Sequence, residues 1–339
     1  MESPRARRSR RARPSRRRPL MYTALASVAI VGGTAAGTVY VKAQAHSGAE
    51  TVSSAASSSA AAASSPAASA SSEEASVEPV VVPAVDHDAL LADALDAVTV
   101  PDDADVSVAV LDLDSGDSAT YGDAAFDTAS IVKVDILATL LLQAQDEDRS
   151  LTAAEKSYAT TMIENSDNAS ASALWRIIGE AAGLDAANKR FGLTDTEGGD
   201  GMLWGLTQTT AADQLTLLQQ VFGDDSKLSK ASQEYLQRLM GQIATDQHWG
   251  VSAAADGSSW ALKNGWLPRS TTGLWDINSI GRVTAADGND YLVVALSNGN
   301  ATKEKGISLV ESAARAAVSV FTGDGTDASA SASAALASQ

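Results

Sequence analysis

Between residues 86 and 322 the apolar positions recur in two periods. Ala89, Leu90, Leu91, Leu95 and Val98 fit one face of a short helix. Asp105 to Leu113 alternates as a strand, Asp114-Ser115-Gly116-Asp117 has turn chemistry, and Ala119 to Tyr121 resumes the extended pattern. From Ser130 onward the chain is apolar nearly all round (Ile131, Val132, Val134, Ile136, Leu137, Leu140, Leu141, Leu142), which predicts a central, buried helix. Further helices are predicted over Ala153 to Ile163, after Asn168 to about Gly179, over Thr209 to Val221 and over Leu228 to Gly241. Strands return at Trp260 to Trp266, Leu274 to Val283 and Tyr291 to Ser297. Ile307, Val310, Ala314, Ala317 and Phe321 then give a closing helix. Strands at both ends with helices between predict an α+β domain, a sheet with flanking helices joined to an all-helical lobe. The roughly 237 residues from 86 to 322 suffice to bury a core, and no internal repeat interrupts them.

Outside that span the pattern changes. Met1 to Leu20 holds nine arginines and one glutamate, and Met21 to Val41 carries no charge and is long enough to cross a bilayer. Ala43-Gln44-Ala45 is a site of the kind signal peptidases cut, and Arg16-Arg17-Arg18 is compatible with a twin-arginine signal. Residues 1–45 are therefore expected to be a cleaved export signal or an uncleaved single-span anchor. In both cases the basic end stays inside and the remainder lies outside. Residues 46–85 are dominated by Ser and Ala and read as a disordered linker; residues 323–339 form a low-complexity tail.

Charge narrows the partners. The chain carries −17, yet residues 1–45 hold ten cations and one acid, so residues 46–339 carry −26. So acidic a surface repels nucleic acid and anionic lipid, leaving the membrane reachable only through the N-terminal segment. A monomer is expected. Zero cysteines exclude disulfides and lipid-modified cysteine, so the core alone must hold the domain.

Three short motifs carry chemistry. Ser130 and Lys133 form the one S-x-x-K of the chain, and on a helix positions i and i+3 share a face. A hydroxyl is a poor nucleophile until a base takes its proton, and a lysine serves when burial or a nearby cation lowers its pKa. In the first turn of the helix Ser130 also meets free backbone N–H groups and the positive end of the dipole. Ser166-Asp167-Asn168 is the one S-D-N; standing alone it also fits a helix cap. Lys263-Asn264-Gly265 follows on a predicted strand, where a lysine is otherwise simply an exposed charge.

In this order the three motifs resemble the catalytic set of class A β-lactamases and penicillin-binding proteins. The likeness extends from about Asp86 to Thr322 and includes the helix–loop–helix T-M-I-E-N-S-D-N-A-S-A-S-A-L. It implies an antiparallel sheet with a helical lobe, the active site at their junction, and no cofactor. It further implies that Ser130 is acylated and that Lys133 accepts its proton. Ser166 would protonate the leaving nitrogen, Lys263 would bind a substrate carboxylate and polarise Ser166, and Asn168 would hold the substrate's amide side chain. Gly265 would let the substrate approach the strand edge, and the N–H groups of Ser130 and Trp266 would form an oxyanion hole. The implied ligand is a small-molecule β-lactam or a peptidoglycan peptide, and the implied enzyme is β-lactamase-like or D-alanyl-D-alanine peptidase-like.

Several departures bear on these roles. Asn264, implied to bind substrate by its place in the motif, replaces the hydroxyl residue of K-T-G or K-S-G and so loses that residue's short O–H contact to a substrate carboxylate. The motif serines are only 36 positions apart, shorter than in class A enzymes. No E-x-x-L-N precedes Thr209-Thr210, leaving Glu197, next to glycines that read as a solvated turn, as the candidate water-activating base. The carboxylate-binding arginine lacks a motif, with Arg269 and Arg282 as substitutes. Trp204 and Trp266 flank the inferred cleft. His248 is the one histidine well inside the fold; without H-x-H, H-E-x-x-H or cysteines it makes no metal site, and no G-x-S-x-G supports a Ser-His-Asp triad. The alternative is a catalytically silent envelope-binding module of the same fold.

Overall fold

The computed structural model describes residues 85–323. The expected segment 1–45, the linker up to residue 84, the tail after 323, and His46 lie outside the described residues. Among the described residues no helix is long and apolar enough to cross a membrane.

The chain opens with α1 (His87–Asp96), whose first turn is capped by Asp86 accepting from the Ala89 N–H at 3.1 Å. Strands β1 (Asp105–Asp112), β2 (Ser118–Tyr121) and the two-residue β3 (Phe126–Asp127) lead into a 3-10 turn, Ala129–Ile131. That turn runs directly into α2 (Val132–Asp146). Then come α3 (Ala153–Glu164), α4 (Asn168–Ile178), α5 (Glu180–Phe191), β4 (Gln208–Thr209), α6 (Ala211–Phe222) and α7 (Lys230–Met240). Strands β5 (Trp260–Pro268), β6 (Trp275–Thr284) and β7 (Asp290–Asn300) return to the sheet, and α8 (Lys303–Thr322) closes the fold.

The five long strands form one antiparallel sheet in the order β2-β1-β7-β6-β5. Period-two alternation sorts its side chains onto two cores. Ala109, Leu111, Leu292, Val294 and Leu296 join the helices α2 to α7, whereas Val108, Val110, Tyr291, Val293 and Ala295 join α1 and α8. Helix α2 runs through the middle of the first core, with every residue from Val132 to Leu142 buried. Its all-round apolar sequence demands that place. The lysine among those residues is therefore buried too.

Some elements differ from the sequence pattern. Thr209 is a strand residue paired with Phe126, and Thr210 caps α6 by accepting from the Asp213 N–H. Two-residue strands carry no readable period. Helix α5 was hidden by Gly179 and Gly183; a Cβ at Gly183 would sit 1.7 Å from the Ile178 carbonyl oxygen, so the glycine permits a tight chain crossing.

Edge strand β5 meets the 3-10 turn at Gly265. A Cβ there would lie 2.7 Å from the Thr128 carbonyl oxygen, 2.8 Å from the Ser130 nitrogen and 3.0 Å from the Ile131 nitrogen. From the neighbouring strand, the Asn278 amide donates to the carbonyls of Asp127 (2.9 Å) and Thr128 (3.1 Å). The sheet thus holds the backbone of the Ser130 turn directly. Gly265→Ala is expected to destabilise the fold by about 1–3 kcal/mol through overpacking against backbone. Gly241→Ala, whose Cβ would make only ordinary contacts at 3.6 Å, should stay within about 0.5 kcal/mol of the parent. Urea denaturation of the two variants beside the parent checks this; equal midpoints would contradict the contact.

Candidate active site

The site forms where the start of α2, the loop between α3 and α4, and β5 converge. Ser130 is half-buried in the 3-10 turn, and three residues later Lys133 points from the first turn of α2. The residues before each motif serine's chemistry are held in unusual backbone: Ala129 has φ 48° and Ser166 itself φ 55°. Non-glycine residues enter this left-handed region at a cost, and such outliers gather where geometry matters more than comfort.

Lys133 Nζ lies 2.8 Å from Ser130 Oγ, 2.8 Å from the Ser166 carbonyl oxygen, 3.0 Å from Ser166 Oγ and 2.8 Å from Asn168 Oδ1. The Ser166 carbonyl and the Asn168 amide oxygen can only accept. A neutral amine gives its two N–H groups to these and keeps its lone pair for a hydroxyl. The remaining partners are both hydroxyls. Burial of the ammonium lowers the Lys133 pKa to about 7, with the Asp167 carboxylate opposing part of that effect. Asp167 itself is the N-cap of α4, accepting from the Ser170 N–H at 2.6 Å, and Ser170, through its hydroxyl first and then its N–H, holds the carboxyl below the usual range.

Lys263 approaches from β5 and is fully buried. Its Nζ donates to Ser166 Oγ (3.0 Å), the Asn264 carbonyl (3.0 Å) and Gln247 Oε1 (3.4 Å). Burial, and then the charge of Lys133, hold its pKa well below that of a free lysine. Ser166 Oγ is therefore within 3.0 Å of both amines, and its single proton can move toward either. Trp204 covers the open side of Lys133, its ring centroid 5.0 Å from Nζ, and its indole N–H donates to Ser172 Oγ at 3.1 Å. Beside it lies a cavity of about 560 Å³ lined by Ser172, Met202, Leu203, Trp204, Leu267 and Arg269, among others.

Other expected site residues lie elsewhere. Asn264 was expected among the substrate-binding residues; its side chain is buried, and its Nδ2 donates to the carbonyls of Gln247 (2.8 Å) and Trp249 (2.9 Å). Strand alternation explains this, since Asn264 and Trp266 point to the face opposite Lys263. The space beside Gly265, expected to admit substrate, is filled by the backbone of the Ser130 turn. Glu197 is exposed and pairs through its backbone with Gln208 (3.0 and 2.9 Å); its carboxylate makes no hydrogen bond to the cluster. Of the glycines after it, Gly198 donates its N–H to Asp185 and buried Gly199 donates to Thr207, whereas Gly201 lies exposed in a turn. Arg269 is paired with Asp127 and, at 3.7 Å, with Asp276. Arg282 pairs with Asp290 and packs over Phe222. The His248 ring contacts the Ile243 carbonyl (3.0 Å) and the Trp260 edge. Among the described residues no group of acidic, histidine or cysteine side chains could hold a metal ion. Gln247, Ser172 and Asn278 escaped the sequence reading because single amides and hydroxyls outside motifs carry no signal.

Residues 155–321 match the model of the β-lactamase enzyme family, a span that includes Ser166, Asn168 and Lys263 and begins after Lys133. Among solved structures, PBP-A aligns with TM-score 0.60 at 21% identity, covering 69% of this chain and 96% of its own. The TLA-1 extended-spectrum β-lactamase aligns with TM-score 0.60 at 15% identity, covering 69% and 98%. A class A β-lactamase from Bacteroides cellulosilyticus aligns with TM-score 0.59 at 15% identity, covering 70% and 98%. Identities this low speak for the fold, and no curated protein matches the chain. Residues 155–321 thus resemble the β-lactamase enzyme family, and the fold is the one shared with PBP-A and class A β-lactamases.

Proposed function

We propose that this protein is an acyl-transfer enzyme in which Ser130 is acylated by a β-lactam or by a peptide amide of the cell wall, and that the acyl-enzyme is long-lived. One observation carries the reading: Lys133 Nζ lies 2.8 Å from Ser130 Oγ with its N–H groups engaged by obligatory acceptors. In the acylation step Ser130 Oγ bonds to the carbonyl carbon while its proton passes to the Lys133 lone pair. The C–N bond then breaks, and Ser166 Oγ–H supplies the proton to the departing nitrogen. Lys133 returns its proton to Ser166 Oγ, 3.0 Å away, so the amines end as they began. Lys263 keeps the Ser166 hydroxyl polarised.

Slow deacylation follows from what surrounds the cluster. No carboxylate hydrogen-bonds to Ser130, Lys133, Ser166 or Lys263 among the described residues, and an indole ring covers Lys133 instead. A water arriving at the ester finds no free carboxylate base. The solved PBP-A variant with penicillin G is described as an acyl-enzyme complex, which supports the same chemistry on this fold. Under this reading the domain works outside the cytoplasmic membrane, delivered by the basic and apolar residues 1–45. The silent-module alternative lacks a feature of its own, because the buried amines are costly and useless to a mere scaffold.

Intact mass after mixing with benzylpenicillin should show an adduct of one drug mass that persists for minutes to hours and is missing in Ser130→Ala. A transient adduct with hydrolysed drug would defeat the slow-deacylation claim, and no adduct in the parent would defeat the whole reading. The acylation rate should climb with pH through about 7 as Lys133 loses its proton, because only the neutral amine accepts one. Asp167→Asn keeps the helix cap but removes the charge that raises the Lys133 pKa, so this limb should move to lower pH. A stopped-flow pH profile whose midpoint is unmoved or moves upward would contradict the assignment.

A further inference from the structure

Helix α2 holds one residue that its apolar surroundings do not explain and that the acyl-transfer reading does not use. Asp135, in the first turn, is 1% exposed and lies between the buried side chains of Val134 and Ile136. The side chains that reach its carboxyl are Asn188 of α5 and Thr139, one turn further along α2. Neither Asp135 oxygen makes a hydrogen bond to any other group, and Asp135 enters no ion pair among the described residues. Asn188 is equally buried, and its Oδ1 and Nδ2 are likewise without other partners.

We propose that Asp135 and Asn188 form a neutral acid–amide pair, the carboxyl O–H donating to Asn188 Oδ1 and the Asn188 amide donating back, and that loss of its proton weakens the packing of α2 as pH rises. The four orphaned atoms sort into a pair only when the carboxyl is protonated. A carboxylate accepts and never donates, so it would take the Asn188 N–H and leave Oδ1 without a donor, facing a negative charge. The acid supplies the missing donor. A buried charge with no cation is costly, whereas a satisfied neutral pair is not. The charges that act on the site have the wrong sign to help a carboxylate: Asp185 from α5 and Asp213 from α6. Both are already satisfied, Asp185 by the Gly198 N–H and Asp213 by the N–H groups of Thr194 and Asp195 and the Thr196 hydroxyl. The cations of the helices packed on α2 (Lys156, Arg176, Lys189, Arg190, Lys230 and Arg238) are all exposed.

Burial of the charged form lifts the Asp135 carboxyl to about 7; the Asn188 and Thr139 hydrogen bonds oppose this in part, and Asp185 and Asp213 add to it. In an unfolded chain the group titrates near pH ~4. The folded state therefore keeps a proton that the unfolded state has released. This stabilisation is complete below about pH 4, falls as pH rises, and is gone above about pH 7. Acylation, under the reading above, runs the other way and quickens past the same pH. The helix that carries the nucleophile is then firmest where the nucleophile is least active. The pair itself stands whether or not Ser130 is acylated.

Urea denaturation of the full chain from pH 4.5 to 8.5, parent beside Asp135→Asn, tests the pair. The variant's amide exchanges the same two hydrogen bonds with Asn188 and has no proton to lose. The two proteins should be nearly equal in stability at pH 4.5, and the variant should be the more stable at pH 8.5. The parent's folding constant should fall about a hundredfold relative to the variant's across that range, levelling off above about pH 7. A variant less stable than the parent at pH 8.5, or a difference that does not change with pH, overturns the proposal. Should Asp135→Asn not fold, NMR of the parent's aspartate γ-carbons decides. Two should titrate above the ordinary range, Asp276 near pH 6 through its own burial and Asp135 near pH 7. A protein in which only one aspartate, or none, does so has a charged Asp135 and no acid–amide pair.

Discussion

A buried amine with no counter-ion in direct contact is the interaction on which the rest of this structure depends. Lys133 enters the core because α2 is apolar on all sides, and the helix cannot be buried without it. Charged, the group would lack a direct ion pair in a low-dielectric setting, and so its proton affinity falls to near neutrality. Two fixed acceptors, the Ser166 carbonyl and Asn168 Oδ1, then orient what remains. The lone pair is left to a hydroxyl. Each neighbouring feature serves that arrangement: the left-handed backbone at Ala129 and Ser166, the sheet amide of Asn278 on the turn, and the glycine that brings β5 into contact.

Much of this was legible in the sequence, for reasons that differ by element. The i, i+3 spacing of Ser130 and Lys133 needs only helix geometry to bring them together, and it does so even though Ser130 sits in a 3-10 turn. Apolar period gave the long strands and most helices. It could not give β3 and β4, which are two residues each, nor α5, whose glycines interrupt the pattern. Asn264 was read toward the substrate because it replaces a hydroxyl in a motif. Strand alternation and the buried carbonyls of Gln247 and Trp249 send it the other way. Trp204 was marked only as flanking the cleft; its stacking on Lys133 depends on Ser172 and on a loop fold that no local pattern encodes.

The electrostatics of the site invert those of the surface. An acidic exterior surrounds two buried lysines that share one serine hydroxyl, and burial together with the charge of Lys133 makes Lys263 harder to charge. An aromatic ring, rather than a carboxylate, lies over Lys133. On this shared fold the described residues bring two lysines and two serines together and put no carboxylate in hydrogen-bond contact with them, the arrangement from which the acyl-transfer reading is drawn.

The charge state of Lys133 is the point at which this account stands most exposed. NMR of lysine ε-carbons, with Lys133 assigned from a Lys133→Arg spectrum, would follow its protonation directly from pH 5 to 10. The account predicts an inflection near pH 7. A Lys133 that stays charged through pH 9 would contradict it, because no neutral amine would then be present to accept the Ser130 proton.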